Sequence, residues 1–181
     1  MKLDTVRHAD KNDILIISFI DIIYSYVDSI HKSSKENHKP LKGGLDMALR
    51  IVTGSHVSFV SEKVLDYLNE NSIELNPFDL IWEERHKMGL VTINNRKYSM
   101  AVWEHTIPIK EFRESLLRKE DRDEIIEILL GYPGVAWISR EEDMKLTHLG
   151  FQTKRPGGFL NCYDQAGIKL ISEFDYKEKY S

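Results

Sequence analysis

A chain of 181 residues is long enough to bury a real core in one or two compact units. Its net charge of −4 supplies no global pull toward nucleic acid, so any such contact must come from a local basic patch. A single cysteine, Cys162, excludes an intramolecular disulfide framework or a cysteine-rich zinc site within the chain, and fits a reducing, cytoplasmic setting.

Residues 1–11 read as a polar leader without a signal-peptide pattern. Asn12 or Asp13 can cap a helix that runs to about Ile30, because their side chains accept the orphan N–H groups of a first turn. The apolar residues of 14–30 cover more than one helical face. That pattern predicts burial in a bundle, or pairing with another copy or a protein partner. The run holds Asp21 and reads as too short for a membrane span, so no membrane is expected as a partner. The Lys-rich stretch 31–44 contains Pro40 and ends in Gly43-Gly44, and reads as a linker. Helices are expected over 45–52 and 55–69, the second from Val57, Val60, Val64, Leu65 and Leu68 at helical spacing. A helical part is thereby placed at 1–76.

The remainder, 77–181, changes period. Residues 78–86 fit a short helix or a strand equally well. Residues 90–93 and 98–103 read as a β-hairpin, since Asn94-Asn95 between them can take the positive φ angles of a tight turn. Residues 108–130 predict a charged amphipathic helix that the cluster at 118–123 breaks in two. Val135 to Ile138 is a short buried strand. Ser139-Arg-Glu-Glu142 is a capping box, opening a helix that carries Asp143 and His148 and ends near Gly150. A last short element lies within 161–172. The chain is therefore expected to be α+β: a helical N-terminal part, then a small ββα-like part with a helical insertion.

Glu104 and His105 end the second hairpin strand, and Pro108 follows three residues later. An acid beside an imidazole that titrates near neutrality can do proton chemistry. The same residues also make an ordinary strand-to-helix junction, with Pro108 where its missing N–H costs nothing.

Glu104-His105-Thr-Ile-Pro108 resembles the first motif of the HNH, or His-Me finger, nucleases: an acidic residue, His, and Pro three positions on. The resemblance implies a metal-dependent nucleic-acid phosphodiester hydrolase. His105 would be the general base that activates water, and Glu104 a ligand of a divalent metal (Mg²⁺, Mn²⁺ or Zn²⁺). Asp143 and His148, on the helix after the second strand, are available as the remaining ligands. The stretch between the two strands is longer than in that family, and its middle Asn has no clear counterpart.

Lys154 and Arg155, beside Gly157 and Gly158, can form a backbone nest flanked by two cations suited to nucleic-acid phosphate. A plain solvated loop explains them as well. Trp82, Trp103 and Trp137 read as core or interface, Arg85-His86-Lys87 as solvated surface, and Cys162 as a buried small hydrophobe. The second functional reading is a non-catalytic protein- or nucleic-acid-binding module that forms homo-oligomers through residues 14–30.

Overall fold

The structure, a computed structural model, describes residues 11–180, so the leader read over 1–11 lies outside the described residues except for Lys11. The chain divides into two compact units, one of residues up to Val52 with 113–132, the other of 53–112 with 133–181.

The first unit is helical. Its helix α1 (Lys11–Lys32) buries Ile16, Ile20, Ile23, Val27 and Ile30, a stripe at helical spacing, and packs on α5 (Arg122–Leu130). At 22 residues α1 is longer than the sequence predicts, and long and apolar enough to cross a bilayer by length and composition. Its Asp21 carboxylate accepts a hydrogen bond from Arg122 at 2.8 Å.

The expected linker at 31–44 is a correction. A 3₁₀ turn (Lys35–Asn37) leads directly into α2 (His38–Thr53). Pro40 sits in the first turn of α2, where a backbone N–H has no intrahelical acceptor, so proline is tolerated there. Gly44 serves packing: a Cβ at this position would lie 2.5 Å from Cζ of Tyr26. The helical insertion breaks as predicted, into α4 (Ile109–Leu116) and α5. Asp121 caps α5 by accepting from the N–H groups of Asp123 and Glu124.

The second unit is built on a mixed sheet. In chain order its elements are β1 (Val57–Ser61), α3 (Glu62–Glu70), β2 (Leu90–Ile93), β3 (Arg96–Ser99), β4 (Ala101–His105) and the start of α4. Then follow β5 (Val135–Ser139), α6 (Arg140–His148), α7 (Phe159–Gln165), β6 (Leu170–Ser172) and α8 (Glu173–Tyr180). The sheet runs β4-β5-β1-β6, with β1 and β5 parallel at its centre and β4 and β6 antiparallel at its edges. Strands β2 and β3 form a separate ribbon.

The helix expected over 55–69 begins as a strand, Val57–Ser61, and turns helical only from Glu62. Its fourfold spacing of Val60, Val64 and Leu68 runs across a strand-to-helix boundary that Ser61 marks by accepting from the N–H of Val64. Residues 78–86 fall in 3₁₀ turns, Pro77–Asp79 and Trp82–Met88. The hairpin turn follows its sequence, with Asn94 and Asn95 at φ of 48° and 61°. Strand β3 ends at Ser99, and β4 then enters the main sheet.

Alternation along β5 divides the core. Val135 and Trp137 pack with Val57, Leu65 and Met100 on one side; Ala136 and Ile138 pack with Leu146 and Tyr163 on the other. Antiparallel β4 and β5, followed by α6, make the ββα arrangement, with the helical segment inserted between its strands. The architecture is α+β.

The capping box locks this arrangement. Glu142, 4% exposed, accepts from the N–H of Ser139 at 2.7 Å and from the hydroxyl of Ser61 at 2.7 Å. One carboxylate thereby ties together the ends of both central strands and the caps of the two helices that leave them.

Candidate functional site

Strand β4 is a sheet edge, with Glu104 opposite Ala136 and His105 opposite Val135. Neighbouring residues on a strand point to opposite faces, so these two side chains part company. Glu104 faces the layer of α6 and the 154–158 loop. Arg155 donates to its Oε1 through Nη2.

Arg155 is enclosed, its side chain only 1% exposed. Its backbone N–H donates to Glu111 at 2.6 Å, and its guanidinium carbon lies 5.6 Å from the centroid of the Tyr163 ring. Its Nε and Nη1 have no hydrogen-bond partner among the described residues. Asp143, in the first turn of α6, completes the group. Burial pushes the Glu104 carboxyl up to about 7; the charge of Arg155 pulls it down, and that of Asp143 pushes it up further. Burial also raises Asp143, against the charges of Arg140 and Arg155. Asp143 therefore acts on Glu104, and the charge of Arg155 acts on both, within a partly desolvated group of charges.

Of the residues singled out in the sequence, the fold gathers Glu104, Asp143 and Arg155. His105 lies on the other face of β4, its Nδ1 3.4 Å from the Thr53 hydroxyl. His148 follows Asp143 by five residues, which turns it about 140° around the helix axis. It lines an open groove with Met144, Leu149 and Ala166. Lys154 is exposed, as a surface cation should be. Arg155 is the correction in that loop: it turns inward, drawn by the carboxylates of Glu104 and Glu111, and so offers no surface cation to nucleic acid.

Two contributors escaped the sequence reading. Arg140 stands three residues before Asp143 on α6, a spacing that brings helix side chains together and could have flagged it. Glu111 reaches Arg155 from the start of α4, and nothing local announces that.

The pair offers hard oxygen donors. Among the described residues no group of three or more His, Cys, Asp or Glu side chains is arranged to hold a metal ion. Two carboxylates nonetheless suit Mg²⁺ or Mn²⁺, which commonly take one or two protein carboxylates and complete their shells with water and substrate phosphate. Zinc, which favours imidazole and thiolate, fits this donor set poorly. Comparison with protein-family models, with curated proteins and with solved structures finds no match for this chain.

Proposed function

We propose that the chain is a metal-dependent nucleic-acid phosphodiester hydrolase of HNH-like type, with Glu104 and Asp143 as the residues that hold Mg²⁺ or Mn²⁺. The observation that carries this reading is the placement of both carboxylates on one side of the β4–β5–α6 unit, both beside Arg155 and close enough for the charge of Asp143 to act on Glu104. A cation bound there would stabilise negative charge on the phosphoryl and leaving oxygens. The chain's own part is to hold those donors. Arg155 fixes the Glu104 carboxylate through one oxygen, from a position that packing keeps dry. His105 is the general base in this reading. It is the last residue of an edge strand, on the face opposite Glu104, so this reading requires the substrate to pass around the strand end. The Thr53 hydroxyl at 3.4 Å helps to orient its ring.

His105→Ala should lower the cleavage rate by about 10²–10⁴-fold, the usual loss when a general base is removed. The assay is purified protein with Mg²⁺ or Mn²⁺ on single- and double-stranded DNA and on RNA. A parent inert on every substrate contradicts the hydrolase. A variant as active as the parent removes His105 from it.

The divergence of Glu104 and His105 favours a second reading, a non-catalytic module that oligomerises. Helix α1 supports it by leaving Ile14 69% and Ile17 67% exposed, on the side away from its buried stripe. Ile17→Asp should then shift the sedimentation profile to smaller species without lowering the melting temperature. A parent that already sediments as a monomer contradicts it.

A further inference from the structure

We propose that single-stranded nucleic acid docks on the Trp82 turn and on the face of the β2–β3 ribbon that packs beside it. This docking surface stands on its own observations, apart from the hydrolase reading.

The ribbon forms its own two-stranded sheet and exposes Arg96 and Lys97 just past its turn. The turn Trp82–Met88 packs beside β3 and β4, tied by the Ser99 hydroxyl donating to the Arg85 carbonyl at 2.9 Å. Trp82 is 50% exposed, an unusual place for the largest apolar side chain. Arg85 sits 4.0 Å from the centroid of its ring and donates to the Trp82 carbonyl at 3.0 Å, so the indole is held at the surface by a cation. Arg85, Lys87, Arg96 and Lys97 face only Glu83 and Glu84 within residues 81–99, and Lys87 occupies Glu84 at 2.5 Å. In a chain of net charge −4, that is a local reversal of sign.

Tyr98 points to the other face of β3, where Arg140 places its guanidinium carbon 5.2 Å from the ring centroid. The docking face is therefore the one that carries Lys97 and Ser99, beside the Trp82 turn. Stacking platforms combined with cations are the chemistry that receives unpaired bases on a phosphate backbone, since every base has a π-face. A duplex hides those faces.

The experiment is fluorescence anisotropy of labelled single-stranded DNA, single-stranded RNA and duplex DNA with the full chain, in EDTA and across a salt series. The parent should prefer either single strand over duplex. Lys97→Glu should flatten the salt slope by ~0.7, the loss of one phosphate contact on a single strand, whereas Arg96→Glu, on the other face of the ribbon, should leave it unchanged. Trp82→Ala should weaken binding by about tenfold or more, with little change in slope. These variants alter exposed side chains, and a melting curve matching the parent's shows that they fold. A parent that binds nothing or prefers duplex overturns the proposal, as do folded Lys97→Glu and Trp82→Ala variants that bind like the parent. Single-strand binding without cleavage in Mg²⁺ or Mn²⁺ removes the hydrolase and leaves the docking surface. Cleavage with unchanged KM in the Lys97→Glu and Trp82→Ala variants does the reverse.

Discussion

If Glu104 and Asp143 hold the proposed metal, Asp143→Asn should lower Mg²⁺- or Mn²⁺-dependent cleavage by about 10³-fold, and Glu104→Gln should do the same, because each would remove half of a two-carboxylate site. Cation stabilisation of a phosphoryl transfer is worth several kcal/mol, and ~1.4 kcal/mol is tenfold in rate. Raising the metal concentration should restore part of the activity of either variant, since a lost ligand weakens affinity before it alters chemistry. Glu104→Gln has a second signature in metal-free protein. The folded chain holds the Glu104 proton up to about pH 7, whereas the ordinary value is 4.5. That extra stability is present in full below the ordinary value and is lost as pH rises through about 7. The glutamine variant has no such loss, so its melting temperature between about pH 5 and pH 8 should decline less than the parent's. Equal declines would place Glu104 in water. Cleavage unaffected by either substitution would place the chemistry elsewhere.

Glu142→Ala should destabilise the fold by about 2 kcal/mol or more. The substitution removes the Glu142 half of the capping box and so strands two buried donors, the Ser139 N–H and the Ser61 hydroxyl, while Ser139 still caps the N–H of residue 142. Each orphaned donor costs about 1–3 kcal/mol in desolvation without a partner. Urea unfolding measures it, as a fall in midpoint at constant slope. Glu142→Gln, which keeps an acceptor oxygen, should lose less than the alanine variant. A loss under about 1 kcal/mol would mean that water reaches the two serines and that the ends of β1 and β5 are not held by this carboxylate.

Signals confined to a few neighbouring residues were legible. Asn94-Asn95 carried its turn, Ser139-Arg-Glu-Glu142 its capping box, and the charge cluster after Leu117 its helix break. Each depends on backbone groups within four residues, so no tertiary partner is needed to decide it. Val57 to Ser61 was hidden because its valines continue, by spacing, the apolar stripe of the helix that follows. Only pairing with β5 and β6 makes that segment a strand. The stretch around Pro40 and Gly44 misled for a similar reason. Proline and glycine mark breaks on average, yet here one occupies a first helical turn and the other makes room for Tyr26. At the candidate site, Glu104 and Asp143 were singled out through the resemblance of Glu104-His105-Thr-Ile-Pro108 to the HNH motif, and the fold brings the charge of Asp143 to bear on Glu104. The inward turn of Arg155 was not legible, since it depends on Glu104 and Glu111, both more than forty positions away in sequence.

The central claim is that Glu104 and Asp143 together hold a divalent cation. Mn²⁺ binding to the purified chain, followed by the loss of the free-ion paramagnetic resonance signal, tests it without any substrate. The account predicts one saturable site in the parent, competed by Mg²⁺, and markedly weakened in both Asp143→Asn and Glu104→Gln. Binding that survives either substitution unchanged, or a parent that leaves the Mn²⁺ signal untouched, would contradict it.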